Sequence, residues 1–278
     1  MRHVTNAATA ALALLATPAI AQGTEEHPEN FNGPYVGGSF GIGVQNNDIG
    51  EFQRFDRGFN GSFDTITTTT GADAFSPGFC NGAARAATPG SGCRNDKDDI
   101  AYHVRAGWDV RYSKIVVGVV GEFGRTEVID SVSSFSTTPA FYTMTRELDW
   151  EGSVRGRVGY AAGGTTLFYA TGGAAYAHIK NSFATSNGVN AFSSNGNSYS
   201  KGSVFGGGVE QALGRNVSIG LEYLYTRYNE DDYRVRATAG NAVASNPFVL
   251  NGQAGTEFSR SDPRFDFHTM RVTAAFRF

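Results

Sequence analysis

Hydrophobic and polar residues alternate with a period of two in several stretches of this 278-residue chain. In residues 99–110 (DIAYHVRAGWDV), apolar side chains fill one set of alternate positions, while polar or small residues fill nearly all of the other. Side chains of a β-strand point to opposite faces with this period, so the alternation predicts a strand. Eight segments show the pattern: 34–44, 99–110, 114–124, 147–161, 165–179, 203–213, 216–228 and 267–278.

The connections between these segments alternate in length. Three are only a few residues long, as is typical of hairpin turns. The others are long, are rich in Ser, Thr, Asn, Gly and Asp, and cover 45–98, 125–146, 180–202 and 229–266. Short periplasmic turns and long extracellular loops are typical of transmembrane barrels. The sequence therefore predicts an all-β fold over residues 33–278, an eight-stranded antiparallel up-and-down transmembrane β-barrel.

The N-terminal residues have the features of a secretory signal peptide. Arg2 and His3 precede an apolar run, and Ala19-Ile20-Ala21 forms a small-x-small cleavage site. The apolar run is too short to predict a transmembrane helix. We expect residues 1–21 to be removed and residues 22–32 to form a periplasmic lead before the first strand.

The polar faces of the predicted strands carry Arg, Asp and Glu but almost no Lys. On a soluble β-sandwich these faces would contact water, and Lys would be common there. Arg and carboxylates pair well through bidentate hydrogen bonds when they are shielded from water. We therefore predict that the apolar faces contact lipid and that a charge network fills the barrel interior. Its predicted members are Arg105, Asp109, Glu122, Asp149, Glu151, Arg155, Arg157, Glu210, Glu222 and Arg271.

Aromatic residues on the apolar faces support this orientation. Because successive strands run in opposite directions, each residue has a predicted height in the membrane. Tyr102, Trp150, Tyr223 and Tyr225 are predicted near the outer surface, and Trp108, Tyr160, Phe276 and Phe278 near the inner one. Two such bands are expected at the interfaces of a membrane barrel.

The net charge and the two cysteines bear on nucleic-acid binding, disulfide formation and metal binding. A formal net charge of -3 gives no indication of nucleic-acid binding. Cys80 and Cys93 are the two cysteines, and in an exported protein such a pair predicts one disulfide, here within the first long loop. Two thiols without a nearby His do not complete a tetrahedral metal site.

Several motifs together resemble a known family. They are GPYVGGSFGIG, GWDVRY, VRGRVGYA, LFYATGGAAYA, GGGVE, LEYLYTRY and the terminal MRVTAAFRF. Their order along the chain resembles that in the small outer-membrane β-barrel proteins. This family, called porin-family or outer-membrane immunogenic proteins, is related to the OmpA transmembrane domain, OmpX and the opacity proteins. The resemblance implies an outer-membrane location. It also implies that Phe278, with Phe276 in phase, forms part of the signal read by the outer-membrane insertion machinery.

The sequence gives little indication of catalysis. His103, His178 and His268 could cluster near the outer rim and serve a hydrolase or an axial haem site, but strand-end histidines at an interface are common. We predict no catalytic, cofactor or metal site. The expected function is a structural and surface-interaction role through the loops, with outer-membrane lipid, lipopolysaccharide and a host or surface ligand as partners. The alternatives are a narrow porin-like channel for small solutes and, after it, a rim-site enzyme or hemin binder.

Overall fold

The computed structural model describes residues 30–45 and 50–278, so the predicted signal peptide 1–21 and most of the lead 22–32 lie outside the described residues. The described residues form sixteen strands, with short 3-10 turns at Pro89–Ser91 and Leu250–Gly252. The strands are β1 (Gly33–Gln45), β2 (Gln53–Arg57), β3 (Gly78–Asn81), β4 (Ala83–Ala84), β5 (Cys93–Arg94), β6 (Asp99–Tyr112), β7 (Ile115–Thr126), β8 (Ile129–Ser136), β9 (Ala140–Ala162), β10 (Thr166–Thr185), β11 (Ala191–Ser194), β12 (Ser198–Ala212), β13 (Val217–Asn229), β14 (Val235–Thr238), β15 (Thr256–Arg260) and β16 (Arg264–Arg277).

Eight of these strands close into a barrel: β1, β6, β7, β9, β10, β12, β13 and β16. Each is antiparallel to its neighbours, and β16 returns to pair with β1 from Tyr35–Arg277 to Gln45–Phe267. The predicted eight-stranded antiparallel barrel is therefore confirmed. Across the described residues, no helix is both long enough and apolar enough to span a membrane.

The outer wall of the barrel is apolar. Phe40, Val104, Leu221 and Met270 are each more than half exposed, on four different strands. On each strand these outward residues alternate with buried or half-buried ones, so the two faces separate as the period-two pattern predicts. An apolar surface that encircles a barrel is the face that contacts hydrocarbon.

The segments predicted as long loops contain further strands. β9 and β10 extend well beyond the predicted 147–161 and 165–179, and β8 pairs with the extension of β9. Strands β11, β14, β15 and β2 form a separate four-stranded sheet in that order. We call the described parts of the four long connections, with these strand extensions, the cap.

The cap has its own aromatic core. Phe258 is fully buried, and its ring centroid lies 5.0 Å from Phe55, 5.6 Å from Tyr142 and 6.4 Å from Phe192. These four residues come from the four different long connections. The core of the cap is therefore assembled from all four long connections.

Ion pairs hold three of the same connections together. The Arg260 guanidinium donates from Nε and Nη2 to both Glu51 carboxylate oxygens at 2.7 and 2.6 Å, and from Nη2 to Asp130 Oδ2 at 2.8 Å. Arg146 donates to the same Asp130 oxygen at 2.5 Å. The neighbouring guanidinium groups lower the pKa of Asp130 against the opposing effect of burial, which is the largest single influence.

Cys80 of β3 and Cys93 of β5 are joined by a disulfide, with 6.4 Å between their Cα atoms. The predicted pairing is therefore present. It closes a loop within the first long connection, where β4 and β5 also pair.

Candidate functional site

The barrel interior holds a central layer of five charged side chains: Arg105, Glu122, Arg155, Glu222 and Arg271. Arg271 Nη2 lies 2.6 Å from Glu222 Oε2 and 2.6 Å from Glu122 Oε1. Arg155 joins the same two carboxylates, at 2.9 Å to Glu122 and 3.2 Å to Glu222. Arg105 completes the layer with 3.4 Å to Glu222 Oε1. The layer spans the barrel, because its members come from β6, β7, β9, β13 and β16.

A second layer, which we call the turn layer, lies nearer the short hairpins. Arg157 pairs with both Asp109 and Glu210, the latter at 3.0 Å. Arg277 pairs with the same two acids at 2.8 and 2.7 Å. The four residues therefore form a closed ring in which acids and arginines alternate. Arg277 is not among the predicted members of the network. It lies an even number of residues from Arg271 on the last strand, so the period of two places it on the same inward face.

His103 and Glu151 lie on the other side of the central layer. His103 Nε2 is 2.9 Å from Glu151 Oε1, and its Nδ1 is 3.1 Å from Arg271 Nη1. Because a guanidinium can only donate, Nδ1 accepts from Arg271 and Nε2 is the nitrogen that faces the Glu151 carboxylate. Glu151 also accepts hydrogen bonds from Thr126 at 2.7 Å and Tyr228 at 2.6 Å. A cavity of about 10 Å³ beside these residues is large enough for a single water molecule.

The predicted interior position of Asp149 is wrong. The pairing of β9 with β10 skips Asp149: Trp150 opposes His178 and Leu148 opposes Ile179. This β-bulge inserts one residue and moves Asp149 to the outer face. There its carboxylate is 2.9 Å from His178 Nδ1 and 2.5 Å from Lys180 Nζ. The other nine predicted members are buried inside the barrel.

The three histidines do not share a rim site. His103 is inside the barrel, whereas His178 and His268 lie on its outer wall, on β10 and β16. His178 contacts Asp149, and His268 Nδ1 lies 2.6 Å from the Tyr223 hydroxyl. Within residues 30–45 and 50–278, no group of three or more His, Cys, Asp or Glu side chains is arranged to hold a metal ion.

Paired charges cross the barrel interior. Arginine and carboxylate charges balance within the turn layer, and the central layer balances once Glu151 above it is included. An eight-stranded barrel is only wide enough for its own side chains. The ion-paired arginines of the central and turn layers lie within this narrow interior.

A closed eight-stranded barrel with an apolar outer wall and an ion-paired interior defines an outer-membrane β-barrel protein. The chain is similar to the 31 kDa outer-membrane immunogenic protein of Brucella melitensis, with 26% identity over 176 residues, 63% of this chain and 65% of the relative. It is also similar to the 22 kDa outer membrane protein of Rhizobium leguminosarum bv. viciae, with 35% identity over 130 residues, 47% of this chain and 53% of the relative. The chain thus spans less than two thirds of the length of these relatives.

Solved structures give more distant similarities. OprG from Pseudomonas aeruginosa matches with a TM-score of 0.45 and 10% identity, covering 89% of this chain and 97% of OprG. The outer membrane protease OmpT from Escherichia coli matches with a TM-score of 0.41 and 7% identity, covering 92% of this chain and all of OmpT. No family model matches the chain. The named relatives and the barrel together identify an outer-membrane protein that is similar to the outer-membrane immunogenic proteins.

Proposed function

We propose that this protein is a closed outer-membrane barrel with a structural and surface-interaction role, which holds the cap at the cell surface. The observation that carries the proposal is the pair of ion-paired layers across the interior, with an independently packed cap on the side of the long connections. A solute channel needs an open axis, whereas a display scaffold needs a rigid base and a defined outer surface.

The cap supports a recognition role because its surface is assembled from four separate connections. Binding residues are often carried by loops on a rigid scaffold. Phe63, Val189 and Val243 are each more than half exposed on the cap and belong to three different connections. A host or surface ligand at the cap, rather than a small molecule inside the barrel, is therefore the partner that we propose.

The remaining proposed partners follow from the membrane location. Outer-membrane lipid and lipopolysaccharide would surround the apolar wall, and the insertion machinery would read Phe276 and Phe278. The rings of these two residues lie 5.3 Å apart at the end of β16, and Phe278 is 68% exposed. We propose no nucleic-acid partner and no enzymatic activity, since His178 and His268 face outward and bond to Asp149 and Tyr223 rather than to a nucleophile.

Closure of the interior is tested by thiol labelling. Thr171 is buried inside the barrel, directly opposite Arg157 in the strand register. We expect a Thr171→Cys variant in lipid vesicles to resist both cationic and anionic methanethiosulfonate reagents. Ser193→Cys, on the exposed part of β11, is the matched control and should react at once. Rapid labelling of Cys at 171 in the folded protein would favour the narrow-channel alternative.

A further inference from the structure

The hairpin of β4 and β5, within the first long connection, presents two arginines side by side. Arg94 pairs with Ala83, and further along the same ladder the Arg85 amide donates to the Gly92 carbonyl at 3.3 Å. Arg85 and Arg94 are therefore diagonal neighbours on one face of the hairpin. Residues in this relation are about 7–8 Å apart, so long side chains can reach the same group.

The face with the two arginines points away from the protein. Cys93 lies on the opposite face, and its disulfide to Cys80 ties that face to the sheet of β3, β8 and β9. The Ser133 hydroxyl of β8 holds the hairpin as well, because it accepts the Ala84 amide at 2.9 Å. Since side chains alternate along a strand, Arg94 points outward, and both arginines are exposed. The two guanidinium groups thus stand on a fixed base and face solvent.

The hairpin has no nearby carboxylate to neutralise these charges. No acidic residue occurs in the sequence between Asp73 and Asp96. Both of these carboxylates accept backbone amides, at 2.8 Å each. Over residues 30–45 and 50–278, neither Arg85 nor Arg94 forms an ion pair. The hairpin therefore carries two uncompensated positive charges.

The other arginines of the cap are engaged by the protein. Each arginine of segments 125–146 and 229–266 pairs with a carboxylate: Arg125, Arg146, Arg234, Arg236, Arg260 and Arg264. Arg54 and Arg57 of the first connection donate to oxygen atoms of neighbouring residues, at 2.9 and 3.2 Å. Among the described arginines of the cap, the hairpin pair is thus the one whose guanidinium groups are free to bind an anion.

The position of the hairpin excludes the lipid headgroups as that anion. Ser133, which holds the hairpin, pairs with Thr143 of β9. Thr143 lies seven positions beyond Trp150, which marks the predicted outer aromatic band. Seven residues of a strand tilted by about 40° rise roughly 18 Å. The hairpin therefore meets molecules outside the membrane.

The outward face of the hairpin indicates the chemistry of the partner. Besides the two arginines it carries Ala83 and Gly92, so it has no large apolar side chain. Protein interfaces are centred on buried aromatic or aliphatic anchors, which this face cannot supply. Guanidinium forks donate paired hydrogen bonds to anionic oxygens. Two forks that converge from different strands match a group with three terminal oxygens better than a planar carboxylate with two.

We infer that this hairpin binds a sulfated polysaccharide outside the cell, with a sulfate group held between the guanidinium groups of Arg85 and Arg94. The inference names a partner for the cap and so rests on the proposed recognition role. The formal net charge of the chain is -3, so the rest of the molecule gives a polyanion little general attraction. Binding should therefore depend on the hairpin.

Fluorescence anisotropy of a labelled heparin oligosaccharide tests the inference, with the refolded protein in detergent micelles at about 0.15 M salt. An exposed charge pair contributes up to about fivefold in affinity. Arg85→Gln should therefore raise the Kd about fivefold, and Arg85→Gln with Arg94→Gln about 25-fold. Arg85→Lys with Arg94→Lys keeps the charge but removes the forks, so its Kd should lie between those of the parent protein and the double Gln variant.

Arg236→Gln is the matched control, because it removes the same charge from a side chain that is 59% exposed but paired with Glu257. It should leave the Kd unchanged. Each variant is first checked for a folded barrel by its gel mobility before and after boiling.

Equal heparin binding by the parent protein and by Arg85→Gln with Arg94→Gln would overturn the inference. Equal binding of desulfated heparin, which keeps its carboxylates, or of DNA would overturn it as well, because it would show a general attraction for polyanions. Each of these results would leave the proposed closed barrel standing, since the Thr171→Cys variant tests that separately.

Discussion

Glu222 and Arg271 lie directly opposite one another on β13 and β16, and their carboxylate and guanidinium are 2.6 Å apart inside the barrel. Glu222 also accepts a hydrogen bond from the Tyr169 hydroxyl at 2.9 Å. The central layer therefore depends on the register in which β13 and β16 pair. A shift of one residue between these strands would turn one of the two charges toward lipid, so the pair also favours a single register.

Glu222→Gln should strongly destabilise the barrel. The carboxylate contacts Arg105, Arg155 and Arg271, and its loss leaves buried guanidinium charge uncompensated. Removal of one partner from a buried ion pair costs about 3–5 kcal/mol. Urea unfolding of the refolded protein, followed by the change of gel mobility, measures this effect.

The control for that experiment is Lys97→Gln. Lys97 also forms an ion pair, with Asp99, but its side chain is 56% exposed. An exposed pair contributes less than about 1 kcal/mol. Similar unfolding midpoints for the two variants would show that the central layer does not hold the barrel together.

Phe258→Ala should open the cap while the barrel remains folded. Phe258 contacts aromatic residues from the other three long connections, and a buried Phe→Ala change costs about 3–5 kcal/mol. Limited proteolysis should cut the cap faster without loss of the heat-modifiable gel mobility. Phe63→Ala, at an exposed cap position, should change neither. Loss of the barrel together with the cap would contradict the independence of the two cores.

The stability of the cap should fall as the pH rises through neutrality. Burial, together with the nearby carboxylates of Asp130 and Glu51, raises the pKa of Asp96 to about 7, against 3.8 for an ordinary Asp, although the Ser131 amide and Arg260 oppose the shift. At a pH between these two pKa values, Asp96 is protonated in the folded cap but ionised in the unfolded chain. The stabilisation of the cap by protonated Asp96 is complete below about pH 4 and is lost as the pH rises past 7.

Hydrogen exchange of the β8 and β15 amides between pH 5 and pH 8, corrected for intrinsic rates, measures this dependence. Asp96→Asn retains an oxygen that can accept the Ser131 amide at 2.8 Å but cannot ionise. Protection in this variant should vary less with pH than in the parent protein. An identical pH profile in both would assign the effect to another group.

Much of the barrel could be predicted from the sequence, because one buried face and one lipid-facing face impose a strict period of two. The interior positions of Arg155 and Glu210 follow from that period alone. The face on which Asp149 lies could not be predicted. The β-bulge there inserts one residue, which exchanges the inward and outward positions, and no residue type in the sequence marks the bulge. The period of two also places His103 inside the barrel, but its contact with Arg271 depends on the register of strands distant in the chain.

The cap was the part least accessible to sequence analysis. Its strands are short, and the partners of Phe55 or Phe258 are on other connections rather than nearby in the chain. Local alternation therefore indicated only long polar loops. The polar residues of these connections lie largely on the outer surface of the cap, around its aromatic core.

Planar-bilayer conductance of the refolded protein, after a gel shows that its mobility changes on boiling, tests the closed interior most directly. We predict no steady channels, because the central and turn layers fill the axis with paired charges. Reproducible, well-defined conductance steps from the folded barrel would contradict the account and would favour a small-solute channel.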